Sequence, residues 1–191
     1  AGMGLLNNVI PFSLIVWGQV HITSSIASIF NATTPLFTVF VAHLLTTDER
    51  MTANKLAGVL LGIAGVVVMI GPSALAGFDM ANAGQVAVLG GALSYAFASI
   101  WGRRLKGLTP MVAAAGMLLM ASVIMVPAAL LIETPLKVVP SLSVIASVIG
   151  LASVSTALAY LIYFRLLSSV GSTNLMLVTL LIPISAMALG I

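Results

Sequence analysis

Six long stretches of this sequence contain no ionisable side chain other than histidine, and they constrain the fold more than any other feature. They are residues 1–47, 56–78, 80–102, 107–132, 138–164 and 166–191. Because the apolar core of a bilayer is about 30 Å thick, a helix needs roughly 20 residues to cross it. The first stretch is long enough for two crossings and each of the others for one. The sequence therefore predicts an all-α fold, a polytopic membrane bundle of seven transmembrane helices.

The composition excludes several other classes of protein. The chain is 61% hydrophobic and only 6% charged, whereas a soluble domain is about a quarter charged. Its seven basic and four acidic residues are too few and too scattered for a nucleic-acid surface, so we expect no nucleic-acid partner. The absence of cysteine from the sequence excludes disulfides, thiolate catalysis and thiolate metal sites.

The charges predict how the helices are oriented in the membrane. We expect helices over residues 3–20, 24–45, 55–71, 82–103, 111–132, 142–166 and 172–191. When the segments between them alternate across the membrane, Lys137 lies alone on one side and six basic residues lie on the other: Arg50, Lys55, Arg103, Arg104, Lys106 and Arg165. Cytoplasmic loops are enriched in Lys and Arg, so the side with six is predicted to be cytoplasmic.

A weak internal repeat relates the first two predicted helices to the last two. The matching positions are Gly4 and Gly150, Trp17 and Tyr163, and Pro35 and Pro183. The two copies are five helices apart, an odd number, so they cross the membrane in opposite directions, as inverted repeats of secondary transporters do. Completing both copies predicts a ten-helix bundle of two inverted five-helix repeats. We expect residues 1–72 to end the first repeat and residues 80–191 to form the second without its last helix. The chain would then be an internal fragment, lacking two helices before it and one after.

Two prolines mark predicted helix bends inside these copies. A proline removes one helical hydrogen bond, and membrane helices tolerate this where nearby polar groups or water satisfy the freed carbonyl. In a regular helix, Pro35 would free the carbonyl of Asn31 and Pro183 that of Thr179. We therefore expect bends at Pro35 and Pro183, in a region surrounded by protein or water.

Neutral polar residues recur at helical spacing in several predicted helices. Ser24, Ser28, Asn31, Pro35 and Thr38 follow one another at steps of four and three, which places them on one face. Such faces are expected to converge on a cavity near the middle of the membrane. The predicted substrate-binding residues are Asn8, Ser28, Asn31, Ser94, Tyr95, Thr156, Tyr160 and Thr179.

Each of these residues also has a purely structural interpretation. Serine, threonine and asparagine often join membrane helices through hydrogen bonds worth roughly 0.6 to 2 kcal/mol. Tyr163, just before Arg165, is interpreted as an anchor at the headgroup level. Glu49, in the segment TTDER, is interpreted as a solvated loop charge.

Buried ionisable groups are missing from the predicted spans. Neither a carboxylate nor a lysine lies deep in any of them, so we expect no metal, no cofactor and no proton-coupling site there. An intramembrane enzyme would need a nucleophile and a base within reach of each other, yet both histidines fall near predicted helix ends. A retinal-type receptor would need a lysine in the middle of the membrane. These non-transport alternatives, a seven-helix receptor or an intramembrane enzyme, are the less favoured ones.

Two segments resemble the EamA-like drug/metabolite transporter family. They are NATTPLFTVFVAHLLTTDERMTANKLAGVLLGIAGVVVMIG and AYLIYFRLLSSVGSTNLMLVTLLIPISAMALGI. TTDER stands where that family often has a Leu-Gly-Glu-like sequence. The resemblance implies a ten-helix secondary transporter that moves a small metabolite, such as an amino acid, an amine or a drug-like solute, by alternating access. The resemblance is compatible with export or import, and we expect an exporter. It further implies a multi-pass protein of the bacterial cytoplasmic (inner) membrane, with the lipid bilayer and a small solute as its partners.

Overall fold

The computed structural model describes residues 1–70, 83–132 and 140–184. Every regular element in these residues is helical. The predicted ends of three helices, at residues 71, 82 and 185–191, lie outside the described residues, as does Lys137.

The helices follow the predicted apolar stretches closely. Helix α1 comprises Gly2–Gly4, a π-helical segment Leu5–Val9, and Ile10–Gln19. Then come α2 (Ser24–Asn31), α3 (Thr34–Leu45), α4 (Ala53–Ile70), α5 (Ala83–Gly102, followed by a 3-10 turn Arg103–Leu105) and α6 (Pro110–Ile132). Helix α7 spans 142–170, with a π-helical segment Leu151–Leu158, and α8 spans 172–184, with a 3-10 segment Leu177–Leu181.

Among the described residues, four helical stretches are long and apolar enough to cross a membrane. They are Ser24–Leu45, Ala83–Leu105, Pro110–Ile132 and Leu142–Ile184. Helix α1 is not one of them, because Asn7, Asn8 and Gln19 lower its mean hydropathy. The seven-helix count and the ten-helix inverted repeat stay predictions.

The helical stretch that contains Pro35 is interrupted just before the proline. Helix α2 ends at Asn31 and α3 begins at Thr34, so Pro35 lies in the first turn of α3, where its missing N–H costs nothing. Two carbonyls at the break are satisfied by threonine hydroxyls: Thr33 Oγ1 donates to Phe30 O (2.6 Å) and Thr34 Oγ1 to Asn31 O (2.7 Å). The break therefore leaves the side chain of Asn31 free for other contacts.

Gly171 separates α7 from α8. Its φ of +81° and ψ of 176° lie in a region that is essentially restricted to glycine. The sequence predicts this break inside SSVGST, and the structure places it at Gly171, five residues beyond the predicted end of the preceding helix.

Helix α5 is the central element, because it packs against α1, α2, α3 and α7. Its contact with α1 is closest at Gly18, where an added Cβ would lie 2.7 Å from the carbonyl oxygen of Gly84. Small residues allow such close approach between membrane helices.

The largest buried apolar cluster joins α1, α5, α6, α7 and α8. Its core consists of Met3, Ala98, Ala113, Ala114, Met117, Phe164, Leu167, Leu175 and Met176. It lies toward the end of the bundle where the loop after α3, the end of α5 and the start of α8 meet. We call this the basic end, because Arg50, Lys55, Arg103, Arg104, Lys106 and Arg165 belong to it; the end where Gly18 meets Gly84 is the opposite end.

Candidate functional site

A cavity of 380 Å³ lies between five helices. Its lining comes from α1 (Asn7, Phe12, Ile15, Gln19), α2 (Ala27, Ser28, Asn31), α5 (Tyr95), α7 (Tyr160, Tyr163) and α8 (Met176, Val178, Thr179, Ile182). These are the helices to which the sequence assigned the inward-facing polar groups. Pockets for small ligands have about this size and a similar mixture of apolar walls and a few polar groups.

Five of the eight predicted site residues line this cavity: Ser28, Asn31, Tyr95, Tyr160 and Thr179. A sixth, Asn8, stands directly behind the wall, where its Nδ2 donates to the hydroxyl oxygen of Tyr160 at 3.0 Å. Because Asn8 supplies that hydrogen bond, the hydroxyl proton of Tyr160 remains available to a ligand.

The other two predicted residues are not among the lining residues. Ser94 Oγ donates to Leu6 O at 2.7 Å and so joins α5 to α1. In the π-helical register of Leu5–Val9, the donor for Leu6 O would be the nitrogen of Pro11, which has no hydrogen. Ser94 therefore satisfies a carbonyl that α1 cannot satisfy itself. Thr156 is half-buried in the π-helical part of α7.

Three polar atoms at or beside the cavity are buried without a hydrogen-bond partner in the described residues. They are Asn31 Oδ1, Asn8 Oδ1 and the hydroxyl of Tyr163. Leaving a buried polar atom unpaired costs about 1 to 3 kcal/mol, so such atoms are rare and call for an explanation. Their grouping around one cavity makes it a candidate binding site.

The hydroxyls of Ser28 and Thr179 are oriented by their own helices. Ser28 Oγ donates to Ser24 O (2.8 Å) and Thr179 Oγ1 donates to Met176 O (2.8 Å). Because each hydroxyl already donates its hydrogen, it can only accept a hydrogen bond from a molecule in the cavity. Together with Asn31 Oδ1, they make the cavity rich in hydrogen-bond acceptors.

Aromatic rings form two walls of the cavity. Phe12 and Tyr95 pack edge to face with centroids 6.5 Å apart, and Tyr160 and Tyr163 do so at 6.1 Å. Tyr163 is therefore not the headgroup anchor inferred from the sequence, because its hydroxyl is buried at the cavity. Its spacing of three residues from Tyr160, on the same helical face, is the signal that could have identified it.

The cavity carries no formal charge in the part of the chain that the structure describes, since its lining includes no Asp, Glu, Lys, Arg or His. Groups of three or more potential metal ligands are likewise not found among the described residues.

A second, larger crevice of 720 Å³ lies at the basic end, beside Trp101 and Arg104. The Arg104 guanidinium stacks 4.3 Å from the centre of the Trp101 ring. The charges of Arg103 and Asp48 in this crevice are paired with each other. Arg103 Nη1 is buried without a hydrogen-bond partner among the described residues, but it faces the Glu49 carboxylate. The smaller cavity, with its unpaired polar atoms, is the better candidate site.

Comparison with known proteins identifies the family. The model of the EamA-like transporter family matches residues 1–71 and 82–191, which is most of the chain. The chain belongs to the EamA-like transporter family. With four helical stretches long and apolar enough to cross a bilayer, it is a multi-pass integral membrane protein.

Relatives of this EamA-like chain include a protein from three Escherichia coli strains, K12, CFT073 and O157:H7, called uncharacterized inner membrane transporter YedA. Each is 30% identical over 109 residues, which is 53% of this chain and 34% of the relative. A protein crystal structure superposes with a TM-score of 0.80 over 98% of this chain and 65% of its own length. At 22% identity, that likeness shows the fold alone. The chain thus spans about a third of the curated relatives and about two thirds of the solved structure.

At the basic end, the acidic segment of this EamA-like chain holds the start of α8. The Glu49 carboxylate accepts hydrogen bonds from Ser172 N (2.8 Å), Thr173 N (2.9 Å) and Thr173 Oγ1 (2.8 Å). Arg103 Nη1 lies 3.5 Å from Glu49 Oε1, and Nη2 of the same guanidinium pairs with Asp48 Oδ2. We call the contacts of Glu49 with Ser172, Thr173 and Arg103 the Glu49 cluster; the exposed Asp48 lies outside it.

Glu49 is therefore not a solvated loop charge, as the sequence suggested. Only 12% of its side chain is exposed, against 60% for Asp48. Burial tends to raise the pKa of Glu49, but the hydrogen bonds from Ser172 and Thr173 and the charge of Arg103 outweigh it, and the pKa is lowered. The carboxylate is ionised at the positive end of a helix dipole, where negative charge is favoured.

Proposed function

We propose that this chain is the cavity-bearing part of a secondary transporter that moves a small amine-bearing, partly apolar solute across the cytoplasmic membrane by alternating access. Membership of a transporter family supports transport rather than catalysis. The finer features of the proposal rest on the cavity.

The acceptor-rich wall is the single observation that carries the substrate class. Asn31 Oδ1, Ser28 Oγ and Thr179 Oγ1 all present lone pairs to the cavity. A solute with N–H donors satisfies them, whereas a carboxylate would find neutral donors, such as the hydroxyls of Tyr160 and Tyr163, but no basic side chain among the described lining residues.

The aromatic walls support a cationic amine with an apolar body. Aromatic faces attract ammonium groups, an interaction worth about 2 kcal/mol or more in a desolvated site. Phe12, Tyr95, Tyr160 and Tyr163 supply four such rings around the cavity. At 380 Å³, the cavity has room for a small metabolite.

Paired irregularities in the helices support alternating access between two related halves. The π-helical segments begin at Leu5 and at Leu151, each directly after a glycine. Irregular backbone also precedes both prolines: the break before Pro35, and the 3-10 segment Leu177–Leu181 before Pro183. Helices interrupted in this way surround the substrate site in many transporters, where the exposed backbone borders a cavity.

Solute exchange in proteoliposomes that contain the full-length protein tests the proposal. The probes are phenylethylamine, phenylethanol and phenylpropanoate, which share a ring and differ in the polar group. We expect saturable exchange of the amine, weaker exchange of the alcohol and none of the carboxylate. Asn31→Leu should reduce exchange of the amine about tenfold, because a hydrogen bond to a charged group is lost.

The matched control is Asn54→Leu, the same substitution at an exposed position of α4. It should leave exchange unchanged. Preference for the carboxylate, or equal loss in both variants, would contradict the proposed substrate class. Comparing everted with right-side-out vesicles distinguishes export, the proposed direction, from import.

A further inference from the structure

The cavity is built asymmetrically along the bundle. Its lining runs from Asn7 to Gln19 on α1, twelve residues or about 18 Å. Toward the basic end the lining is buried, with Asn7 2% and Met176 4% exposed. Toward the opposite end it is accessible, since Gln19 is exposed and Ile182 is 44% exposed. The described residues thus form a cavity that approaches solvent at the opposite end.

Two layers separate the cavity from the basic end. The inner layer is the buried apolar cluster, in which Met3, Leu167 and Leu175 come from α1, α7 and α8. The outer layer is the Glu49 cluster at the surface. A solute that leaves at the basic end has to pass both, so the start of α8 has to move away from its neighbours.

The Glu49 cluster ties the start of α8 to two other elements. Glu49 comes from the loop after α3, and Arg103 from the turn that ends α5. Ser172 Oγ also donates to Ser99 O of α5 at 3.2 Å, and Ser172 is completely buried. Movement of α8 therefore breaks the three hydrogen bonds of Glu49 together.

The loop that carries Glu49 is itself fixed. Thr46 Oγ1 donates to Ala42 O (2.8 Å) at the end of α3 and accepts from Glu49 N (3.3 Å). On the other side, Gly171 leaves the space that the carboxylate occupies, because a Cβ there would lie 2.6 Å from Glu49 Oε1. The Glu49 loop and the backbone at Gly171 are therefore complementary in shape.

We propose that the Glu49 cluster is the latch of the gate at the basic end: it holds the path from the cavity to that end closed, and it opens in each transport cycle. This inference rests on the proposed transport function. Glu49 acts by positioning α8 and does not touch the solute. Ion pairs and hydrogen bonds between packed elements are a common way to stabilise one of two alternative arrangements.

Thiol accessibility tests the latch directly. The sequence has no cysteine, so one introduced thiol reports alone, provided that any cysteine elsewhere in the full-length protein is replaced by serine. Leu175→Cys places the reporter in the buried layer. A membrane-impermeant methanethiosulfonate is applied to each face of sealed vesicles separately, and the exposed Gly107→Cys identifies the face that carries the basic end.

We expect the reporter at position 175 to react slowly from the basic end when Glu49 is present. Glu49→Gln should raise that rate about tenfold or more, since losing a charge-assisted hydrogen bond shifts a two-state equilibrium by at least this factor. Thr173→Val, which removes one of the three donors, should have a smaller effect in the same direction. The matched control Asp48→Asn removes the exposed neighbouring carboxylate and should change the rate less than about twofold.

Three outcomes would overturn the latch. One is an unchanged labelling rate in Glu49→Gln while amine exchange and its dependence on Asn31 persist. Another is faster labelling from both faces with a lower unfolding temperature, which is the signature of a merely structural contact. The third is an equal effect of Asp48→Asn. Faster labelling from the basic end alone, with no exchange of any probe in any variant, would instead retain the latch and refute the proposed function.

Discussion

Replacing Gly171 by alanine should destabilise the protein through two separable effects. The backbone at φ +81° and ψ 176° is essentially limited to glycine, and forcing another residue into it costs about 1 to 3 kcal/mol. The new Cβ would also lie 2.6 Å from Glu49 Oε1, so the carboxylate has to move away from Ser172 N. Losing that charge-assisted hydrogen bond costs about 1.5 to 3 kcal/mol. The sum predicts a loss of about 2.5 to 6 kcal/mol in the free energy of unfolding.

A double-mutant cycle separates the two effects. With Glu49→Ala already present, which removes the carboxylate that the new Cβ would meet, Gly171→Ala should cost only the backbone strain, about 1 to 3 kcal/mol. The coupling energy between the two positions should then be about 1.5 to 3 kcal/mol. The assay is reversible unfolding of the full-length protein in mixed micelles, titrated with a denaturing detergent.

Gly107→Ala is the control, since a Cβ there meets nothing within 4 Å. It should change the free energy of unfolding by less than about 0.5 kcal/mol. The reasoning would be refuted if Gly171→Ala cost the same in both backgrounds, because the carboxylate would then not depend on the space at Gly171.

Three further predictions concern the helix contacts, the break before Pro35 and the charge of Glu49. Gly18→Ala should destabilise the protein by about 1 to 3 kcal/mol through backbone overlap with α5, while Gly116→Ala in the open face of α6 is neutral; equal unfolding curves would contradict this. The pair Thr33→Val and Thr34→Val should cost about 1 to 3 kcal/mol, because Asn31 O loses its hydroxyl donor and Phe30 O keeps only backbone donors. A loss below about 0.5 kcal/mol would contradict this. Since the pKa of Glu49 is lowered on folding, its contribution is complete above its ordinary value of 4.5 and disappears as the pH falls below it. The higher unfolding temperature of wild type relative to Glu49→Gln should therefore vanish in acid, and a constant difference would count against the contact.

The helical stretches were predictable because membrane insertion depends mainly on composition along the chain. Backbone polar groups in a bilayer are satisfied within helices, so a charge-free stretch of sufficient length is helical. The described ends of α2–α3, α5 and α6 agree with the predicted ones to within about two residues. Irregularities in the helices were only partly predictable. The sequence predicts a bend at Pro35, and the structure has an interruption of the helix at Thr33, where two threonine hydroxyls donate to carbonyl oxygens.

For the candidate site, helical periodicity identified the faces but not the partners. The spacing of Ser28 and Asn31 placed both on one face, and both line the cavity. Ser94 and Tyr95 are adjacent, and the sequence predicts both as substrate-binding residues. In the structure, Ser94 donates to a carbonyl of α1, whereas Tyr95 lines the cavity. Which of two adjacent polar residues reaches a cavity depends on helix rotation, which is set by packing against neighbouring helices.

Glu49 shows most clearly which properties follow from the sequence and which follow from the tertiary structure. By itself, the sequence determined that this carboxylate lies just outside a membrane helix, because charge is excluded from the apolar core. Only the tertiary structure decided that it binds the start of α8, 123 residues further along the chain. That contact needs a free helix N-terminus, a glycine with positive φ and a nearby arginine brought together in space. Local sequence patterns encode each of these pieces, but their meeting is a property of the packed bundle.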